Sequence, residues 1–333
     1  MKIYRHLVVF FLISFFSIPL ATAQSNTIIN LEGVKAAQQR GAIILDVRST
    51  KEYLQGHIPG AISIGDLGTV LRDSNREDYI DLAEITAIFN QAGLDVQKEI
   101  ITYGARGNPY AYFGLFTIQY FGGKQAKVFH DGIDGWVDAG QPIEKTPSTL
   151  NPVVVKLVPQ HQLVVTNEEM RKLYNNPSVQ VIDARTINEY KGNDIRAIRG
   201  GHIPGAVSIP YEQNWKDPQT ATKLAKKEVK TNTGMALKER SDLNKLYSKF
   251  DPNKETVVYC QSGVRASETA VVLQNLGFKN VKVYDSSWLG WASHLASPVA
   301  DETYLNVGLL NAKISAMQNK INELEAALKA GKN

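Results

Sequence analysis

Gly56-His57-Ile58-Pro59-Gly60-Ala61 recurs, residue for residue, as Gly201-His202-Ile203-Pro204-Gly205-Ala206. The neighbouring sequence extends the match. Ile44-Leu45-Asp46-Val47-Arg48 returns as Val181-Ile182-Asp183-Ala184-Arg185, and Glu52-Tyr53 as Glu189-Tyr190. Further on, Ile101-Thr102-Tyr103-Gly104 pairs with Val257-Val258-Tyr259-Cys260, and Gly135-Trp136 with Gly290-Trp291. The copies lie roughly 140–155 residues apart, far beyond the period of about 20–50 residues that marks a solenoid, so the repeat is a domain duplication. The spacing widens along the chain, so the second copy carries insertions. One is Gly192–Arg199, and another lies in the polar segment from Tyr211 to Phe250.

Each copy alternates short apolar, β-branched runs with helical patterns. Residues 42–45, 61–64, 100–103 and 126–129 read as buried strands of the first copy, and 81–92 and 110–120 as its helices. In the second copy 179–182, 206–209, 256–259 and 281–284 are strands, and 167–174, 241–248 and 267–276 helices. This alternation predicts α/β domains, each a mostly parallel sheet flanked by helices. Ligands of such sheets bind at the carboxyl ends of the strands. Pro142, Pro147, Pro152 and Pro159 punctuate the join between the copies, a linker composition. The expected division is an N-terminal domain over 27–145, a linker over 146–160, a C-terminal domain over 161–300 and a terminal helix over 303–330.

The only cysteine, Cys260, ends one of these strands and begins Cys260-Gln261-Ser262-Gly263-Val264-Arg265-Ala266. A strand delivers it, a short loop surrounds it, and the helix that follows turns its positive end toward it. Such a setting exposes a nucleophile. A lone cysteine can also be a small buried hydrophobe. In the first copy Gly104 takes its place, and glycine has no side chain to attack with.

Lys2 and Arg5, the apolar stretch Leu7–Leu20 and Ala21-Thr22-Ala23 match a cleaved secretory signal over residues 1–23. The stretch is short for a membrane span. The expectation is a periplasmic or secreted protein, stable without any intrachain disulfide. The formal charge of +4 falls to about +2 without Lys2 and Arg5, and no basic block suggests nucleic acid. The six histidines show no zinc-site spacing, so no metal and no cofactor are expected.

Taken together, the Asp-x-Arg strand ends, the duplicated Gly-His-Ile-Pro-Gly-Ala turns, the Cys-x-x-Gly-x-Arg loop and Tyr284-Asp285-Ser286-Ser287-Trp288 resemble the tandem rhodanese family. These are two-domain sulfurtransferases that use thiosulfate or 3-mercaptopyruvate. The resemblance spans about residues 28–300. It implies two rhodanese-like domains, the first a scaffold that walls the cleft and the second catalytic. It implies that the Cys260 thiolate takes sulfur from a small anionic donor, holds it as a persulfide and yields it to cyanide or a thiol. The backbone N–H groups of the loop Gln261, Ser262, Gly263, Val264, Arg265 and Ala266 would stabilise the sulfur's charge. Arg265 offers a charged fork for the donor, or closes the loop through an ion pair. Family analogy adds Arg185 and Arg199 as substrate-binding residues, with Arg196 beside Arg199 in the same insertion. Asp183 is expected either to support the loop or to pair with an arginine. His57 and His202 occur in both copies, including the one without cysteine, which points to structural turns.

Four residues separate Cys260 from Arg265. Cysteine phosphatases place one more there, making a wider cradle for a tetrahedral phosphate. The mercaptopyruvate type carries a glycine and a threonine where this chain has Gln261 and Arg265. Thiosulfate is therefore the expected donor; mercaptopyruvate transfer or a non-catalytic sulfur carrier are the alternatives. Beyond the resemblance, Leu310, Ile314, Met317, Ile321, Leu324 and Leu328 repeat at spacings of three and four. That is a heptad seam, and it either packs on the body or pairs two copies, with self-association expected.

Overall fold

The computed structural model describes residues 26–75 and 78–330. The expected signal segment lies outside them. The first domain is a five-stranded, wholly parallel sheet built from β1 (Ile28–Ile29), β2 (Ile43–Asp46), β3 (Ile62–Ser63), β4 (Ile100–Tyr103) and β5 (Ala126–Phe129), in the order β1-β5-β4-β2-β3. The second repeats it with β6 (Val164–Val165), β7 (Val179–Asp183), β9 (Val207–Ser208), β10 (Glu255–Tyr259) and β11 (Asn280–Tyr284), in the order β6-β11-β10-β7-β9. Between β7 and β9 the chain forms β8 (Arg199–His202), which pairs antiparallel with β12 (Ala300–Tyr304) outside the main sheet. All four residues of β2 and of β4 are buried, as expected of central parallel strands covered on both faces.

Two helices occupy equivalent places after β4 and β10, and they form the domain interface. Pro109–Tyr120 starts with Pro at its first turn and with the Asn108 side chain accepting from the Tyr110 N–H. Its residues Ala111 to Ile118 are all buried, so it is apolar on every side and suited to lie between two domains. Val264–Leu276 packs across it. Val264 and Val271 join the core of the first domain, and Phe116 joins that of the second. The interface therefore fixes the start of the helix behind Cys260.

Residues 146–160 form no regular element but are strapped to the first domain. Val153 and Val158 donate their N–H groups to Asn90 O and Phe121 O, at 3.0 and 3.2 Å, and Leu157 is buried. The polar insertion of the second copy also reaches back. His130 Nε2 lies 2.8 Å from Met235 O, and Arg106 donates to Asn232 Oδ1 at 3.0 Å. The terminal helix spans Val307–Ala330, and every residue in it is exposed, so its seam does not pack on the body.

Candidate active site

The thiol is placed by the sheet. In the parallel register Val258 faces Ile182 and Tyr259 faces Asp183, which brings β10 to its carboxyl end at Cys260. The loop then turns at Gly263, whose φ of +86° and whose distance of 2.4 Å from a Cβ position to Asp285 Oδ1 both demand glycine. Ser287 holds the loop from behind. Its Oγ accepts from the N–H groups of Cys260 and Gly263, at 3.1 and 3.0 Å, and donates to Tyr284 O at 2.7 Å. To do so Ser287 sits at φ +50°, a region that a residue with a Cβ rarely enters. The Trp288 N–H donates to Cys260 O at 3.0 Å.

Cys260 therefore lies at the start of Val264–Leu276, a helix whose N-cap Gly263 has no side chain to spend on its first N–H groups. Those donors and the helix dipole make the helix start beside Cys260 a place that favours a bound anion. Cys260 is 1% exposed and joins the apolar core of the second domain, so it is buried as well as placed at the wall of a cleft of about 560 Å³. Asn108, Pro109 and Tyr110 of the first domain form one side, and Glu189, Arg196, Glu212 and Arg265 of the second form another. The start of the first domain's interface helix thus forms part of the cleft wall.

The charge in the cleft is ordered by Glu189, which pairs with Arg265 and, at 3.5 Å, with Arg196. Arg265 donates from both terminal nitrogens to the two carboxylate oxygens of Glu189, each at 2.7 Å. Glu189 also closes a capping box with Thr186. Burial works against the charged carboxylate, but Arg265 and Thr186 outweigh it and hold Glu189 at about 2. Burial pulls Arg265 toward neutrality, and Glu189 and the nearby Cys260 more than restore its charge. Arg265 lines the cleft, but its fork is closed onto Glu189, so of the two roles expected of it the structure shows the ion pair. Its partner is a glutamate, a residue that reading for chemistry passed over. The signal was Thr186-x-x-Glu189, the capping motif, which also occurs as Ser49-x-x-Glu52 in the first copy.

Glu212 was also missed. It lines the cleft, burial pushes its carboxyl up, and its Oε2 has no hydrogen-bond partner. Nothing in its sequence setting marks it.

Two expected substrate contacts are corrected. Arg185 is 1% exposed; it forks onto Asp183 and donates to Gly201 O at 2.7 Å. Arg48 makes the same contacts to Asp46 and Gly56 O in the copy that has no cysteine. The Asp-x-Arg pair is therefore a strut of the fold, and Asp183 serves it instead of orienting the Cys260 loop. Arg199 is 2% exposed and is consumed by Glu302 and by the carbonyls of Ala292, His294 and Ser297. Arg196, three residues earlier, lines the cleft with a half-exposed side chain, and its carbonyl accepts from Gln261 Nε2 at 2.7 Å. The histidines are structural: His57 and His202 each stack on the tyrosine whose carbonyl they meet, Tyr53 and Tyr190.

A parallel α/β fold used twice, with a thiol at one strand end and glycine at the other, defines a tandem-domain protein with a single cysteine. The model of the rhodanese-like domain matches residues 30–139 and again 166–294, and the chain belongs to that family. It is 32% identical over 260 residues to the thiosulfate sulfurtransferase of Corynebacterium glutamicum, covering 74% of this chain and 80% of that one. Among solved structures it is similar to the anaerobic ergothioneine biosynthesis enzyme of Chlorobium limicola in complex with trimethyl histidine. That match has a TM-score of 0.70 at 22% identity, over 83% of this chain and 70% of the other. The wild-type structure of EanB aligns equally well, with a TM-score of 0.70 at 22% identity, over 83% and 69%. At these identities the structural matches speak for the fold.

Proposed function

We propose that this chain is an exported thiosulfate sulfurtransferase that works through a persulfide on Cys260. The observation that carries the reading is the position of Cys260: on the wall of an interdomain cleft, at an uncapped helix start, five residues before the paired Arg265. The naming of the Corynebacterium relative supports thiosulfate as donor.

In the first half-reaction the Cys260 thiolate attacks the outer sulfur of thiosulfate. The sulfur–sulfur bond of the donor breaks, and sulfite leaves with the electron pair. The outer sulfur stays on Cys260 as a persulfide anion, facing the first N–H groups of the helix Val264–Leu276. Arg196, half-exposed at the cleft wall, attracts the anionic donor, and burial of Glu212 raises its carboxyl and so disfavours a negative charge on the same wall. In the second half-reaction cyanide or a thiolate attacks the outer sulfur, and its bond to Cys260 breaks to return the thiolate. No step requires a metal ligand or an oxidant. Removal of a signal segment over 1–23 would deliver the chain to a periplasm or to the exterior.

The test is thiocyanate formation from thiosulfate and cyanide, beside mercaptopyruvate as donor and a Cys260→Ser control. Turnover that prefers thiosulfate and vanishes in the control supports the reading. A preference for mercaptopyruvate overturns the donor, and no turnover with folded, reduced protein overturns the enzyme.

A further inference from the structure

We propose that the terminal helix Val307–Ala330 joins two copies of this chain as a parallel, in-register, two-stranded coiled coil. The helix has 24 residues, about 36 Å at 1.5 Å per residue, and it touches the body nowhere along its seam. Met317 is 66% exposed and Ile314 55%. A lone helix of this length is marginal in water, and an apolar stripe along it is stable only when covered.

Two features of the seam name what covers it. The first is the order of side-chain shapes. Val307, Ile314, Ile321 and Leu328 recur every seven residues, the first three of them β-branched, and Leu310, Met317 and Leu324 recur between them. β-branched residues at the first core position and unbranched-at-β residues at the second favour two parallel strands over three or four. The second feature is charge. Lys320 flanks one side of the seam, and Glu325 flanks the other, five residues on. In a parallel, in-register pair, Lys320 faces the partner's Glu325, and the two-fold axis makes the contact twice. An antiparallel pair centred on Met317 sets Lys313 against the partner's Lys320, like against like. Shape and charge thus select the same partner, a second copy in the same direction. The two catalytic bodies then lie side by side at one end of the stalk.

The mass of the full chain in solution, by sedimentation over a range of concentrations, is the first measurement. The expected mass is twice that of the chain, and Ile321→Asp is expected to halve it while leaving thiosulfate turnover per chain unchanged, since the helix lies outside the cleft. Lys320→Glu is expected to weaken the dimer, and adding Glu325→Lys to restore it. Direction is read by disulfide trapping in a Cys260→Ser background, with diamide as oxidant. Leu310→Cys and Leu324→Cys are each expected to cross-link with themselves. A monomeric mass up to roughly 100 µM overturns the proposal. So does cross-linking only in a mixture, between position 310 of one chain and 324 of the other.

Discussion

Arg265 and Glu189 meet through two hydrogen bonds of 2.7 Å, one from each terminal nitrogen of the guanidinium. The glutamate side chain is 1% exposed, so the pair is buried at the cleft wall. Removing Arg265 leaves Glu189 with Thr186 and the more distant, half-exposed Arg196, at a cost of up to about 3–5 kcal/mol. Arg265→Ala is therefore expected to lower the unfolding free energy by up to that amount, and the urea midpoint with it, and Arg265→Lys to recover only part, because an ammonium cannot make the two-pronged contact. Equilibrium unfolding checks both; a midpoint unchanged in Arg265→Ala would refute the pairing.

The same pair sets a pH dependence. Glu189 is held at about 2, below its ordinary 4.5. A carboxyl depressed on folding contributes stability that is complete above the unfolded value and is lost as pH falls through the folded one. The stability advantage of the native chain over Glu189→Gln is expected to be flat above about pH 5 and to shrink between pH 4.5 and 2. Unfolding curves of the two proteins across that window measure it directly.

Glu212 has the opposite sign. Burial raises its carboxyl, so it stays neutral where an exposed glutamate would be charged. As pH rises through that raised value, a negative charge appears on the wall that receives an anionic donor. The KM for thiosulfate is expected to increase on the order of tenfold, a repulsion of about 1.4 kcal/mol. Glu212→Gln should remove that rise and leave the low-pH rate near native. A rise that persists in the variant would assign it to another group.

Ser287 anchors two N–H groups of the nucleophile loop with one hydroxyl. Ser287→Ala leaves both buried donors without an acceptor, at about 1–3 kcal/mol. Ser287→Gly removes the same hydroxyl but relieves the backbone at φ +50°. Both are expected to slow thiosulfate turnover, and Ser287→Gly to be the more stable of the two. Full activity in Ser287→Gly would show that the loop holds its shape without the hydroxyl.

The duplication, the parallel sheets and the position of Cys260 were legible in the sequence because each rests on local pattern: apolar runs, a repeated turn, a glycine loop. The charges around the thiol were not. Arg185 and Arg199 read as substrate contacts, yet an arginine's destination is set by which carbonyls surround it, and Arg199 meets those of residues 292–297, far along the chain. β8 has two glycines and no apolar alternation, and it exists only because β12 returns to pair with it. Glu189 carried a local signal, but one that reads as a helix cap. Only the fold brings Arg265 to it, across 76 residues of chain.

The empty copy supplies the last prediction. Gly104 stands where Cys260 does, and a Cβ there would meet Asn108 and Val47 no closer than 3.4 Å, so Gly104→Cys fits and should fold with native stability to within about 1 kcal/mol. It is nevertheless expected to transfer no sulfur in a Cys260→Ser background. Gly132 takes the place of Ser287 at nearly the same backbone angle, φ +54°, and it has no hydroxyl to hold the loop. A Cβ on Gly132 would come 2.1 Å from Gly104 O, so the first loop has closed into the space that the serine needs. Arg106 is tied to Asp131, Asp138 and Asn232, and Met235 and Trp215 of the other domain lie against Gly107. The first copy thus differs from the second in three ways: it has no thiol, it has no loop anchor, and its mouth is covered by the insertion of the second copy. Restoring the thiol reverses one of them. Thiocyanate production by the double variant above the Cys260→Ser background would show that the cradle survives without its nucleophile, and would make the difference between the two domains one of a single side chain.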